Sequence, residues 1–193
     1  MYSCLKSYGI DGIDAFPVTV EATFGRAMPG FDIVGLPDAA IKESRLRVQS
    51  SIRLCGYELP AGRITVNLAP ASQRKFGPAF DLPIFLAVLA ATNQLSSLPE
   101  DAAFVGELSL SGQIRPVNGV LSMALRAKAD GIPAFFVPEE NAKEASIVEG
   151  LTVYPVSDIT ALLAHLNGSS PITPVEFDPL LILSGANQLA DNI

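Results

Sequence analysis

The sequence predicts an α/β domain in which helices cover a sheet. Residues 2–36 contain runs of alternating apolar and polar side chains, which is the pattern of strands with one buried face. From about residue 104 onwards, short apolar runs alternate with helical patterns. Because repeated strand and helix units usually build a parallel sheet with helices packed on it, the last third of the chain favours parallel pairing.

The N-terminal third predicts three strands followed by a helix. Glycine and proline separate the strands, and Asp38 is expected to cap the helix because its side-chain oxygen can accept free backbone N–H groups. Gly56 is expected to end this helix in the left-handed conformation. The strands are expected at Tyr2–Ile10, Phe16–Phe24 and Phe31–Val34.

The centre of the chain joins a strand, a polar loop and the most apolar helix pattern. Alternation from Ile64 to Leu68 predicts a strand that Pro70 ends, and residues 71–78 predict a polar surface loop. Asp81 is the expected N-cap of the next helix. That helix, Leu82 to about Thr92, is apolar on every side, so we expect it to be buried; about ten residues fall far short of the roughly 20 needed to span a bilayer.

The C-terminal part predicts a hairpin and then alternating helices and strands. Phe104–Val117 is expected to fold back at Ser111-Gly112. A glycine, serine and proline-containing linker is expected from residue 167. Helices are expected from Gly119 to about Asp130, from Pro138 to Val148 and from Asp158 to Leu166, and strands at Ala134–Val137 and Leu151–Val156.

Composition argues against several classes of site. The apolar fraction of 49% and the charged fraction of 17% are ordinary for a globular protein. Cys4 and Cys55 are too few for a disulfide framework and are expected to be buried free thiols. His165 is the single histidine and is expected to be structural, which disfavours histidine triads and zinc sites. The sequence contains no secretory leader pattern, so a cytoplasmic location is expected.

Charge is distributed unevenly along the chain. Residues 1–80 carry nine Lys/Arg and seven Asp/Glu, whereas residues 81–193 carry four and thirteen, and the net charge is −7. Any contact with nucleic acid is therefore expected in the N-terminal half, although a solvated surface is the plainer explanation of the same basic residues. The candidate nucleic-acid-binding residues are Lys42, Arg45, Arg47, Arg53, Arg63, Arg74 and Lys75.

The residues alone indicate no cofactor chemistry. The chain has no Gly-Lys pair, so a phosphate-binding loop of the form GxxxxGK[ST] is absent from the sequence. No metal site is expected either. Glu139-Glu140 is most simply an acidic helix start.

Four segments resemble the N-terminal domain of magnesium-chelatase-like AAA+ ATPases of the YifB/ComM type. The resemblance implies an accessory domain of a DNA branch-migration motor linked to natural transformation, in which ATP and Mg²⁺ belong to the full-length protein. It also implies DNA contact and self-association in a ring. On this basis residues 1–166 form the domain, and residues 167–193 are the linker and the start of the connection to an AAA+ module. The segments are PGFDIVGLPDAAIKESRLRVQSSI, RITVNLAPA, FDLPIFLAVLAA and GELSLSGQIRPVNGVLSMAL.

The domain is also similar to the protease domain of Lon and to the Lon-like C-terminal domain of RadA. This similarity implies a mixed sheet covered by helices. The segment Phe76–Asp81 keeps the Gly-Pro of the Lon nucleophile loop, but Ala79 stands where the serine would be. Leu121, which we expect to be buried, stands where the lysine would be. Neither side chain can attack a carbonyl or carry a proton, so peptide hydrolysis is not expected.

Two functions remain open from the sequence. The favoured one is a non-catalytic domain that contacts DNA or helps to assemble a hexameric motor. The alternative is a degenerate protease domain that binds a peptide or a protein partner in the former cleft without cutting it.

Overall fold

A computed structural model describes residues 1–95 and 98–176 of the chain. It confirms the α/β class: helices cover a sheet in which both parallel and antiparallel strand pairs occur. The described elements are β1 (Tyr2–Asp11), β2 (Asp14–Gly25), β3 (Gly30–Val34), α1 (Ala39–Leu54), β4 (Arg63–Ala69), α2 (Asp81–Ala91), β5 (Ala102–Phe104), β6 (Glu107–Leu108), β7 (Ile114–Arg115), α3 (Val120–Ala129), β8 (Ala134–Pro138), α4 (Glu139–Ala145), β9 (Thr152–Val156) and α5 (Ile159–Leu166).

The main sheet has the strand order β3-β4-β2-β1-β5-β8-β9. The β1/β2 and β2/β4 pairs are antiparallel, and the other pairs in this sheet are parallel. The parallel pairing of β5, β8 and β9 confirms the prediction for the last third of the chain. Strands β6 and β7 form a separate small antiparallel pair.

Apolar cores lie on both sides of the sheet. Helices α1, α2 and α5 contribute to the core on one face, and α3 and α4 to the core on the other. Helix α2 is buried over nearly its whole length, as its composition predicts. Each Leu, Ile or Phe side chain that α2 removes from water contributes roughly 1.5–3 kcal/mol, so this helix is the apolar centre of its layer.

The predicted helix cap at Asp38 is confirmed: its carboxylate accepts a hydrogen bond from the Ile41 N–H at 2.9 Å. The Asp158 carboxylate caps α5 in the same way, accepting from the Ala161 N–H at 2.9 Å. Gly56 has a φ of +76° just after α1, as expected for a glycine that ends a helix.

The predicted hairpin over Phe104–Val117 is wrong in extent. Residues up to Phe104 belong to the main sheet as β5, and only β6 and β7 form a hairpin. The Val105 N–H still donates to the Phe136 carbonyl of β8 at 3.1 Å, but the Gly106 N–H donates to the Ala79 carbonyl at 2.9 Å, so the chain turns out of the sheet there. Leu110 lies at the turn of this short hairpin and is 67% exposed.

Three further expectations are wrong. Asp81 does not cap α2: it is the first residue of that helix, is fully buried, and makes no capping bond. The 71–78 segment is not wholly a surface loop, because Lys75 is fully buried within it. Cys4 is exposed, whereas Cys55 is partly buried.

The segment after α5 remains attached to the domain as far as it is described. His165 is structural, as predicted: its Nδ1 accepts the Ile172 N–H at 2.9 Å. The Val175 N–H donates to the Val153 carbonyl at 2.8 Å, which places Val175 against β9. The rest of the predicted linker, residues 177–193, lies outside the described residues, and the division into domain and linker stays a prediction.

Candidate functional site

A cleft of about 540 Å³ opens where the end of β1, the turn before α2 and the start of α3 meet. The turn Pro78–Phe80 is a single 3₁₀ turn, and Gly77 enters it with a φ of +78°, a conformation that glycine adopts without strain. The other walls are formed by Gly9, Ile10 and Gly12 and by the segment Pro116–Gly119. The turn before α2 and the segment that leads into α3 are the two places where the Lon resemblance puts a nucleophile and a lysine.

The described wall of this cleft has no nucleophile or amine. Ala79 lines the cavity, so a methyl group occupies the position of the expected serine. Among the described lining residues there is no Ser, Thr, Cys, His or Lys, and Glu107 is the one charged residue. Leu121 is not part of the wall: it lies on α3 and is 36% exposed, so the expectation that it is buried is wrong.

Hydrogen bonds from distant segments fix both walls. The Gly77 N–H donates to the Asp38 carboxylate at 3.1 Å, and the Ala79 carbonyl accepts from Gly106 at 2.9 Å. On the opposite wall, the buried Asn141 side chain accepts from the Val117 N–H at 2.9 Å and donates to the Val117 carbonyl at 3.0 Å. Sequence reasoning missed Asn141 because nothing in its local pattern distinguishes it from a surface residue of α4.

Asp81 is the centre of a buried polar cluster beneath the cleft. Its carboxylate accepts from Arg47 Nε at 2.6 Å and Nη2 at 3.1 Å, and also from the Ser44 hydroxyl. The Leu108 N–H completes the set at 3.1 Å. Burial raises the pKa of Asp81 while these donors oppose that rise, and the carboxylate in turn raises the pKa of Arg47. With four donors around it, the carboxylate is held as the anion of an ion pair that ties α1 to α2 and β6.

Lys75 is a second buried charged side chain. Its ammonium donates to the carbonyl of Gly35 at 3.0 Å and to that of Pro70. Burial lowers the pKa of Lys75, and no carboxylate within the described residues lies at ion-pair distance from it. The ammonium therefore ties together two loops and is not presented to a ligand.

The seven candidate basic residues do not form one surface. Arg47 and Lys75 are engaged inside the domain, and Arg63 pairs with Asp32 at 3.0 Å. Arg74 lies over the exposed ring of Phe76, 6.0 Å from its centroid. The remaining three, Lys42, Arg45 and Arg53, lie on α1 and line cavities beside β3.

In the part of the chain that is described, no group of three or more His, Cys, Asp or Glu side chains could hold a metal ion. None of the described helices is both long enough and apolar enough to cross a membrane.

Sequence comparison with known proteins relates this chain to magnesium-chelatase-like proteins. Residues 20–141 match the family model for subunit ChlI of Mg-chelatase. The chain is 41% identical to the uncharacterized protein YifB of Escherichia coli K12 over 158 residues, which is 81% of this chain and 31% of YifB. It is 38% identical to competence protein ComM of Haemophilus influenzae over 182 residues, covering 92% of this chain and 36% of ComM.

A more distant similarity connects the chain to proteases. It is 24% identical to Lon protease of Mycolicibacterium smegmatis over 167 residues, which is 80% of this chain and 21% of that protein. The chain spans about a third of the length of YifB and ComM.

We predict that Arg47→Met lowers the free energy of unfolding by about 3–5 kcal/mol at neutral pH, because it leaves the buried Asp81 carboxylate without its counter-ion. Burial already raises the folded-state pKa of Asp81, and removing Arg47 takes away the largest opposing contribution, so this pKa rises further above its unfolded value. The Asp81 carboxyl of the variant then stabilises the fold at low pH, and this contribution is lost as pH rises through its folded-state pKa. The loss of unfolding free energy caused by Arg47→Met should therefore be smaller near pH 4.5 than at pH 7.5. Urea unfolding at both pH values measures this.

The matched control is Arg53→Met on the same helix, since Arg53 is exposed and has no ion pair within the described residues. It should change stability by no more than about 0.5 kcal/mol at either pH. A deficit for Arg47→Met that is equally small, or one that does not depend on pH, would contradict the account of the cluster.

Proposed function

This chain belongs to the Mg-chelatase ChlI family together with YifB and ComM, and we propose that it is a non-peptidase accessory domain of a cytoplasmic AAA+ ATPase in that family. The observation that carries the proposal is the cleft, whose described wall offers no hydroxyl, thiol, imidazole or amine. Acyl transfer needs a nucleophile and a group to take its proton, and a fold can persist when such a site is lost.

ATP and Mg²⁺ belong, in this proposal, to a separate ATPase module of the whole protein. The residues present do not fit a nucleotide held by a Walker A loop, since the sequence has no Gly-Lys pair. The described residues also provide no metal-binding cluster. The domain would serve the motor by contacts, not by chemistry of its own.

One contact of this kind is with DNA. The proposal draws support from Lys42, Arg45 and Arg53, which have no carboxylate at ion-pair distance among the described residues, and from Arg74 on the neighbouring loop. The net charge of −7 repels a polyanion from most of the surface, so only a local and weak contact is proposed.

The other contact is between copies of the chain. Joining a weakly self-associating domain to a ring-forming module raises its effective concentration into the millimolar range, so weak surfaces suffice for assembly. The isolated domain should accordingly sediment as a monomer or low oligomer at micromolar concentration. A stable hexamer of the isolated domain would contradict this part of the proposal.

We predict that the domain does not hydrolyse peptides and that neither single replacement restores activity. Ala79→Ser supplies a hydroxyl of ordinary pKa with no base beside it. Leu121→Lys places an amine on a partly exposed helix position where its pKa stays ordinary. The double variant lacks the contacts that would hold the groups at reacting distance, so it should also be inactive. Cleavage of a fluorogenic peptide and labelling by a serine-directed phosphonate measure this.

Lon protease assayed in parallel serves as the positive control for both readouts. Turnover by the unmodified domain would show that a nucleophile outside the cleft is active, and the labelled residue would identify it. Turnover by either single variant would show that the cleft still contains a working partner group.

We also predict that binding to a short oligonucleotide is weak, independent of sequence and steeply weakened by salt, because phosphate contacts release counterions. Replacing Lys42, Arg45 and Arg53 together with alanine should lower the affinity at least tenfold and flatten the salt dependence. Fluorescence anisotropy at several salt concentrations measures both effects.

The control variant changes Lys6 and Lys143, which are exposed on other parts of the domain, to alanine. It should bind as the unmodified chain does. If no binding occurs at low salt, or if the control variant loses as much affinity as the α1 variant, the DNA contact proposed for α1 is wrong.

A further inference from the structure

Strand β3 leaves one edge of the main sheet open. The opposite edge strand, β9, meets the following segment through Val175, whose N–H donates to the Val153 carbonyl at 2.8 Å. Over residues 1–95 and 98–176, no strand pairs with the outer side of β3. An unpaired edge of this kind is a template for an added strand.

The strand register identifies the groups on this edge. The Gly30 N–H donates to the Gly62 carbonyl at 3.2 Å, so Gly30 faces β4. Because successive residues of a strand alternate in direction, Asp32 and Val34 also face β4, while Phe31 and Ile33 turn their N–H and C=O groups outward. Apart from the ladders between paired strands, no hydrogen bond among the described residues involves the outward N–H and C=O groups of Phe31 and Ile33.

A groove runs beside these outward groups. Its first part, about 510 Å³, is lined by Phe31–Val34 and by Lys42 and Arg45 of α1. Its second part, about 590 Å³, shares Phe31 and Arg45 with the first and continues to Arg53. We call the two parts together the edge groove.

The edge groove is positively charged in a chain of net charge −7. The described residues place no carboxylate at ion-pair distance from Lys42, Arg45 or Arg53. Asp32 is the one acidic residue on the described lining, and its carboxylate already accepts from Arg63 at 3.0 Å. An incoming negative charge would therefore meet cations that have no competing partner among the described residues.

We propose that the edge groove binds an extended acidic peptide segment, which adds to β3 as a further strand. Lys42 and Arg45 are three residues apart on one helix, so their Cβ atoms lie about 5–6 Å apart. Alternate residues of a strand are about 6.6 Å apart, so two acidic side chains separated by one residue can reach both cations. Main-chain hydrogen bonds to Phe31 and Ile33 would give affinity, and the two cations would select acidic sequences.

The same edge disfavours nucleic acid as the specific ligand. Phe31 and Ile33 present both carbonyl oxygens and N–H groups. Phosphate oxygens only accept hydrogen bonds, so they can pair with the N–H groups alone. A peptide backbone pairs with both. The cations alone would still attract DNA weakly. Peptide binding in the edge groove and the proposed DNA contact can therefore each fail without the other.

The experiment uses the 193-residue chain and a fluorescein-labelled nine-residue peptide of alternating glutamate and valine, followed by fluorescence anisotropy. Saturable binding is expected, at least tenfold weaker for the Lys42→Ala/Arg45→Ala variant. The Lys6→Ala/Lys143→Ala variant should bind as tightly as the unmodified chain. A peptide with glutamine in place of glutamate should bind at least tenfold more weakly, and equal binding of the two peptides would overturn the proposal.

Two N-methylated peptides test the added strand without altering the protein. Methylation of every second N–H removes either the donors facing β3 or those facing solvent, so one peptide should lose binding and the other should retain it. Equal binding of the two would overturn strand addition.

A 15-nucleotide strand that binds more tightly than the peptide, with the same dependence on Lys42 and Arg45, would assign the groove to nucleic acid. Sedimentation showing self-association that Ile33→Pro abolishes, together with no binding of the peptide, would assign the groove to a second copy of the chain.

Discussion

The buried carboxylate of Asp81 is the interaction on which the rest of the structure depends. A charge removed from water is tolerated only when donors surround it, and here the donors come from two other segments: Ser44 and Arg47 of α1, and the main chain of Leu108 in β6. The first turn of α2, the middle of α1 and the small hairpin are thereby held at fixed positions relative to one another. The N-terminus of α1 in turn supports the turn at Gly77 through Asp38.

Two surfaces follow from this arrangement, and they differ in character. The cleft between β1, the turn before α2 and α3 is shaped by hydrogen bonds to main-chain groups of Gly77, Ala79 and Val117 and, in its described wall, has no reactive side chain. The edge groove between β3 and α1 is open, retains unpaired main-chain groups and carries cations without partners among the described residues. A domain with this pair of surfaces is suited to contacts with other molecules, which agrees with its place in a family whose ATPase chemistry we assign to another module.

Sequence patterns predicted the elements well because their signals are local. The strand alternation and the cap at Asp38 depend on residues only a few positions apart, and the structure confirms them. Asp81 has the same local signature as Asp38, yet its carboxylate binds Arg47, which lies 34 residues earlier in the chain. No periodicity reports a pairing of that range, so the sequence pattern predicts a cap at Asp81 and a surface cation at Arg47.

The candidate site was less predictable for the same reason. Lys75 lies in a polar run whose composition predicts a surface loop. The ammonium can be buried because the carbonyls of Gly35 and Pro70 accept hydrogen bonds from it. The two segments singled out by the resemblance to Lon both contribute residues to the cleft, but the resemblance could not reveal that Leu121 is not part of its wall. The open edge of β3 depends on strand order, which becomes visible only once the sheet is assembled.

Native-state hydrogen exchange at the Leu108 amide tests the central role of Asp81 most directly. An amide in a two-residue strand of a small hairpin would ordinarily exchange through local opening, but this one donates to a fully buried carboxylate at 3.1 Å. The account predicts that Leu108 exchanges only through global unfolding, with the same opening free energy as buried amides of α2 such as that of Phe85. Exchange of Leu108 at the rate of its exposed neighbour Leu110 would contradict it.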